Sequence, residues 1–224
     1  MPRLYFLLFP LLAAPFYSVS QQLLERFPAV EYAEPLSVPN YRIVQTLKLD
    51  DDRYLLVGAP TRSSEQTAGL RLYLLCRQPD QTFTITAESV GIGDSDIYRS
   101  YVFAYDSTRI LVVSEPGTEY AWEPDLHWVE GTALNHIGNL DVVINYGEEK
   151  QGEPTIGHLR IWKDEEGFSL DLQGGSGPNG HPVYLLFHPG QASSRLYQRD
   201  QISYHWTPAA GLQLSLTGQP IQTR

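Results

Sequence analysis

The chain has little cysteine and few basic residues, and both shortages exclude classes of protein. Cys76 is the only cysteine among 224 residues, so no disulfide can form within the chain and packing must hold the fold. The 16 Lys and Arg residues never stand side by side, and the 26 acids give a formal net charge of −10. Nucleic acids and anionic membranes are bound through clustered basic surfaces. The composition therefore argues against both as partners.

Motifs for metals and phosphates are also missing. The six histidines show none of the spacings, such as His-x-His or His-Glu-x-x-His, that indicate a zinc site. The one glycine-rich run, at residues 174–180, has no lysine after it and no predicted helix, so it does not resemble a phosphate-binding loop. We expect no cofactor.

Long apolar runs are absent except near the N-terminus. Residues 4–17 are almost wholly apolar and follow Arg3, but two prolines interrupt them and they fall short of the ~20 residues that span a bilayer. Ser18 and Ser20 are spaced as a signal peptidase requires. The sequence predicts a signal peptide at 1–20, a single domain at 21–224, no membrane insertion after cleavage, and a secreted or periplasmic location. A membrane anchor is the alternative.

What the chain does contain is one pattern used four times. Each copy has a polar lead, four or five apolar residues rich in Val, Leu and Ile, and a Gly or Pro exit. The copies are residues 49–60 (LDDDRYLLVGAP), 105–116 (YDSTRILVVSEP), 136–147 (HIGNLDVVINYG) and 179–190 (NGHPVYLLFHPG). Such a repeat indicates an architecture in which each unit buries its apolar face against its neighbours.

Further strands follow three of these lead strands. The closing segments 82–88, 168–173 and 212–218 alternate apolar and polar residues, which predicts strands with one buried and one wet face. The lead strands do not alternate and are predicted to be buried on both faces. Cys76 shares an alternating face with Leu70, Leu72 and Leu74, so it is interpreted as a small buried apolar residue. The second unit matches poorly, with only residues 126–129 after its lead and no clear third strand.

Two of the units carry a family resemblance. The sequence LLVGAP at 55–60 followed by LRLYLLC at 70–76 resembles the FG-GAP repeats of integrin-type propellers, and GNLDVVINYG with GHLRIWKDEEGFSLDL is similar to their bacterial relatives. The resemblance implies an all-β fold, a small propeller-like array of about four antiparallel units. A two-sheet β-sandwich is the alternative.

The same resemblance raises the question of calcium. The lead loop in that family often carries an Asp-x-Asp-x-Asp-Gly calcium element, and the matching stretch here is Asp50-Asp51-Asp52-Arg53. Calcium needs several oxygens converging on one point, whereas consecutive acids splay apart and the glycine for the sharp turn is missing. Asp50 and Asp52 are the candidate metal ligands, and no metal is expected.

One segment resembles a catalytic motif. Gly93-Asp94-Ser95 is similar to the nucleophile block of GDSL-type esterases, which would make Ser95 a nucleophile. That family has Leu where this chain has Asp96, and its Asp-x-x-His pair is missing here. An inter-unit turn is the competing interpretation, because Gly, Asp and Ser favour turns.

The 14 tyrosines and 4 tryptophans suggest a binding surface. Five of them fall in predicted loops or at strand ends: Tyr120, Trp122, Tyr146, Tyr197 and Tyr204. Aromatic side chains are enriched at interfaces, although they are also common in strands. The leading hypothesis is a non-catalytic binding module whose partner is a protein or a carbohydrate. The other is a secreted ester or glycan hydrolase that uses Ser95.

Overall fold

The computed structural model describes residues 22–32, 34–62, 69–93, 97–117, 123–145, 152–173, 183–186 and 195–221. These residues form an all-β fold, as the sequence predicts, with two short 3-10 helices and no α-helix among them. None of the helical turns in the described ranges has the length and hydropathy needed to cross a membrane. The predicted signal peptide lies outside these residues.

The first sheet contains the first repeat unit. Its strands are β2 (Val30–Glu31), β3 (Tyr41–Lys48), β4 (Arg53–Pro60), β5 (Arg71–Arg77) and β6 (Phe83–Glu88), antiparallel and hydrogen-bonded in that order. The apolar lead strand β4 is buried on both faces, as predicted. Strand β6 alternates as predicted, with half-buried Phe83, Ile85 and Ala87 between exposed threonines.

The second sheet corrects the prediction that the second unit is incomplete. It is a regular antiparallel meander of β7 (Ile97–Ala104), β8 (Arg109–Gly117), β9 (Asp125–Glu130) and β10 (Ala133–Asn139). The repeat pattern does not reveal β10, because the residues of this strand overlap the start of the third copy at residues 136–147. A register shift between His136 and Gly138 also breaks its alternation.

The third and fourth sheets interleave, which corrects the prediction of four self-contained units. The strands of the third sheet, in hydrogen-bonded order, are β12 (Gly152–Glu153), β11 (Val142–Asn145), β15 (Val183–Leu186) and β16 (Arg195–Gln198). The strands of the fourth sheet, in hydrogen-bonded order, are β1 (Gln22–Leu23), β13 (Leu159–Lys163), β14 (Phe168–Leu172), β17 (Ile202–Thr207) and β18 (Gly211–Leu216).

The lead strands of the third and fourth units therefore pair with each other. Val142 of β11 lies opposite Leu186 of β15, while the closing strands of both units lie together in the fourth sheet, where Ser169 faces His205. The repeat pattern shows which residues form strands, but it carries no information about which strands become neighbours. The radial arrangement of the predicted propeller stays a prediction.

Among the described residues, two apolar cores join one sheet to another. The first lies between the first and second sheets and includes Leu72, Leu74, Val102 and Val112. Cys76 belongs to it, which confirms the interpretation of this cysteine as a buried apolar residue. The second core joins the second sheet to the third and fourth. The aromatic rings of Trp128, Phe168 and Trp206 pack at its centre, with centroids 4.9–6.2 Å apart.

Candidate functional site

The structure divides the five predicted binding aromatics. Tyr120, Trp122 and Tyr146 lie outside the described residues. Tyr197 and Tyr204 are each 3% exposed and belong to the second core, so these two contribute packing and offer no surface to a ligand. Tyr197 lies on β16 and Tyr204 lies on β17, and both side chains point to the inner side of their strand. The alternation of side chains along each strand therefore buries them.

Ser95, the candidate nucleophile, also lies outside the described residues. A different group of Ser, His and Asp residues occurs on the fourth sheet, and no motif in the sequence indicates it. The Ser169 hydroxyl donates to Asp164 Oδ2 at 2.7 Å and lies 3.1 Å from His205 Nδ1, while that same nitrogen lies 3.2 Å from Asp164 Oδ2. A catalytic triad uses the two imidazole nitrogens separately, one for the serine and one for the acid. This geometry suits a structural hydrogen-bond cluster.

The acidic turn between β3 and β4 is held by basic side chains. Asp50 Oδ2 lies 2.8 Å from the Arg53 guanidinium, and Asp52 Oδ1 lies 3.2 Å from Arg77. Asp51 pairs with Lys48 at 2.7 Å. Each acid of the candidate calcium loop thus points at its own cation, so their oxygens do not converge. Within the described ranges, no group of three His, Cys, Asp or Glu side chains could hold a metal ion.

A buried polar cluster lies on β9 and β10. Asp125 and His127 are 8% and 2% exposed, and His136 Nε2 lies 2.7 Å from Asp125 Oδ1. Burial raises the pKa of Asp125 to about 6, although the neighbouring His136 opposes the shift. Burial, together with His136, lowers the pKa of His127 to about 4, so this imidazole is neutral at pH 7. The cluster is closed against solvent on the side of His127, which suits a structural role.

An open site of the described residues lies where β3 and β7 approach each other. It is a cleft of about 510 Å³, which we call the arginine cleft and define by Arg26, Arg42, Val44, Ile97, Arg99 and Tyr101. Its volume lies in the range typical of ligand-binding pockets, ~300–1,000 Å³. The alternation of β3 and β7 places Arg42 and Val44 on one exposed strand face and Ile97, Arg99 and Tyr101 on another.

The cleft is locally positive on an acidic protein. Arg26, Arg42 and Arg99 line it together with a single acid, Glu31. The Arg26 guanidinium lies 4.6 Å from the centre of the Tyr101 ring, and the Glu31 carboxylate accepts a hydrogen bond from Gln45 Nε2. No carboxylate of the described residues forms an ion pair with any of the three arginines. The charges of Arg26 and Arg42 are therefore available to an anionic ligand, whereas Arg99 also interacts with the carboxyl of Glu115, its cross-strand neighbour on β8.

Apolar contacts complete the cleft. Val44 and Ile97 are 43% and 39% exposed, although most other Val and Ile side chains of the described strands are buried. Val44 is the residue at which the β3–β4 register shifts, so it has no partner on β4 and turns outward. The cleft can therefore contact an anionic group and an apolar group of one ligand at the same time.

Sequence analysis did not find this site. Its residues come from three separated segments, none of which carries a recognised motif, and the arginines stand singly in the chain. The signal that could have found them is the alternation within β3 and β7, Arg42-x-Val44 and Ile97-x-Arg99-x-Tyr101, where large apolar and cationic side chains share an exposed face.

Comparisons of the chain with protein-family models, curated proteins and solved structures found no match.

Proposed function

We propose that the chain is an exported, non-catalytic binding module that holds an anionic ligand in the arginine cleft. The observation that carries this proposal is the convergence of Arg26, Arg42 and Arg99 on one cleft, where none of them forms an ion pair with a carboxylate of the described residues, although Arg99 interacts with Glu115 at longer range. Arginine side chains bind carboxylates through two parallel hydrogen bonds, and they are common at binding surfaces. Of the two partner classes suggested by the sequence, an acidic protein fits this cleft better than a neutral carbohydrate.

The charge distribution supports a selective site. The whole chain carries −10, so its general field repels anions, whereas three arginines and a single acid line the cleft and favour an anion that reaches it. An anionic partner must therefore make close contacts with the arginines. Attraction between exposed charges decays over about 8 Å at physiological ionic strength.

The finer architecture and the location belong to the same proposal. A propeller-like array related to FG-GAP repeats is supported by the first two sheets, which are consecutive meanders, and by β1, which joins the N-terminal segment to the last sheet. The interleaving of the third and fourth sheets favours the sandwich alternative for that half. Export is supported by the sequence of residues 1–20, and a mature protein from the source cell that does not begin near Gln21 would refute it.

Binding of a short oligoglutamate tests the function. We expect tetraglutamate to bind the protein in calorimetry, tetralysine not to bind, and the affinity for tetraglutamate to fall as salt is added. Arg42→Gln should weaken binding by about tenfold, the effect of losing one charge-assisted contact.

A matched control is Arg160→Gln. Arg160 is exposed on the fourth sheet and does not line the cleft, so this variant makes the same charge change elsewhere. Equal weakening by both variants would show that only net charge matters, and the proposed site would then be wrong.

A further inference from the structure

We propose that the ligand of the arginine cleft is an extended acidic peptide that adds as a strand to the open edge of β7. This inference rests on the proposed function, which requires only an anionic ligand. It adds the chemical class of that ligand and its mode of binding.

Strand β7 is an edge strand, since it has β8 on one side only. Along an antiparallel edge, the N–H and C=O groups of alternate residues point away from the neighbouring strand. On β7, the main-chain groups of Ser100 and Val102 point away from β8. The Ser100 N–H donates to Gln45 Oε1 at 3.0 Å, and the Val102 carbonyl accepts from the Phe27 N–H at 2.6 Å.

Tyr98 lies two residues before Ser100, so its N–H and C=O have the same outward direction. Its partner on β8 is Pro116, which has no N–H to donate. This agrees with a residue pair whose main-chain groups do not hydrogen-bond to each other, so that those of Tyr98 point away from β8. No other described residue makes a main-chain hydrogen bond to Tyr98 on the outward side. Tyr98 lines the arginine cleft, so its outward main-chain groups face the proposed ligand site.

At Ser100 and Val102, the outward main-chain groups of β7 already hydrogen-bond to groups that take the place of a neighbouring strand. The Gln45 side-chain amide accepts from the Ser100 N–H and donates to the Ser100 carbonyl at 3.4 Å, as the peptide group of a neighbouring strand would. Phe27 contributes a true peptide group one step further along. The edge thus binds amide groups at Ser100 and at Val102, and within the described part of the chain no main-chain group takes the corresponding position at Tyr98. Addition of a peptide strand to an exposed sheet edge is a recurrent recognition mode.

The side chains of β7 define which peptide fits. A strand paired with β7 places alternate side chains beside Ile97 and Arg99, which share the exposed face. In the bound peptide, an apolar residue would lie beside Ile97 and an acidic residue beside Arg99, with one residue between the two. A second acid can reach Arg42 on the other wall of the cleft. The expected pattern is apolar-any-acidic in an extended segment.

The experiment uses the acetylated and amidated peptide Leu-Thr-Glu-Val-Glu with a fluorescent label, titrated with the full chain. We expect saturable binding that weakens about tenfold with Arg42→Gln and that is lost when both glutamates are replaced by lysine. Two N-methylated versions, at neighbouring residues, decide the mode of binding. Because successive N–H groups of a strand point in opposite directions, one methyl group should abolish binding and the other should be tolerated.

Protection of main-chain amides provides a second measurement. Binding should slow hydrogen exchange of the Tyr98 amide and leave that of Ser100 unchanged, because Ser100 is already hydrogen-bonded to Gln45. A ligand held by its charges alone would leave both amides unchanged.

The outcomes separate the two proposals. If both N-methylated peptides bind as well as the parent, or if glutarate binds as tightly as the peptide, strand addition is wrong while the anionic cleft stands. If neither the peptide nor tetraglutamate binds the wild-type chain, both proposals are wrong.

Discussion

At the scale of single residues, Glu115 is an acid whose pKa is strongly raised by burial. It is fully buried on β8, and its Oε1 accepts a hydrogen bond from the Ile156 N–H at 2.6 Å. Burial raises its pKa from the ordinary value of 4.5 to about 7, although the hydrogen bonds from Ile156 and Thr155 and the charge of Arg99 oppose the shift. The Glu115 carboxyl thus connects the second sheet to the 3-10 helix Thr155–His158 through a hydrogen bond. Its raised pKa means that it loses its proton at a higher pH than an exposed glutamate does.

Glu115→Gln should make the protein more stable above neutral pH. The folded state binds the Glu115 proton more tightly than the unfolded state, so the wild type loses stability as pH rises from 4.5 to 7. Glutamine keeps the acceptor for Ile156 and cannot ionise. We expect a gain of about 1–3 kcal/mol at pH 8 and little change at pH 4, measured by urea unfolding at both pH values.

Glu130→Gln is the matched control, because Glu130 is exposed at the end of β9. It should change stability by less than about 0.5 kcal/mol at either pH. A Glu115→Gln variant that is no more stable than the wild type at pH 8 would show that the carboxyl ionises freely in the folded state.

At the scale of elements, the lead strands behave as the sequence predicts wherever their side chains are described. Val57 on β4 and Val113 on β8 are 1% and 0% exposed, and they contribute to the first and the second core respectively. Val113 tests the repeat pattern more severely than Val57 does, because the second unit is the poorest match to the repeat and nevertheless forms a complete meander.

Val113→Ala should therefore destabilise the protein about as much as Val57→Ala does. Each substitution removes two buried methyl groups and leaves a cavity, which costs about 1–3 kcal/mol. Thr84→Ala, on the exposed side of β6, should stay within about 0.5 kcal/mol. Thermal melts of the three variants measure this. A neutral Val113→Ala would mean that the second sheet does not pack on the second core.

At the scale of the whole molecule, the third and fourth sheets share one segment of chain. From residue 142 onward, the chain alternates between them in hairpins: β11–β12 in the third, β13–β14 in the fourth, β15–β16 in the third and β17–β18 in the fourth. Neither sheet can be completed without the other, so we expect them to fold as one unit.

A chain that ends at Gln173 should lose both sheets. The truncation removes β15 beside β11 and β17 beside β14, so each lead or closing strand that is left has an unpaired edge. Hydrogen exchange should show rapid exchange across residues 142–173, while β4 and β5 in the first sheet stay protected. Protection of β13 and β14 in the truncated chain would contradict a shared folding unit.

The comparison of sequence with structure separates two kinds of information. Local pattern predicted the strands well: the apolar run of β4, the alternation of β6 and the burial of Cys76 are all present. It missed β10, whose register shift at His136 disturbs the alternation on which recognition depends. The candidate site was not predicted, because Arg26, Arg42 and Arg99 have no motif in common and meet only when β3 and β7 approach each other in the fold.

By itself, the sequence determined that this is an all-β chain with apolar lead strands, acidic overall and with no internal disulfide, because composition and strand period are local properties. Only the tertiary structure decided that β11 pairs with β15, that Tyr197 and Tyr204 are core residues, and that three arginines line one cleft. The reason is physical: strand pairing and side-chain convergence are set by contacts between residues far apart in the chain, and an apolar strand satisfies its backbone equally well beside several alternative neighbours.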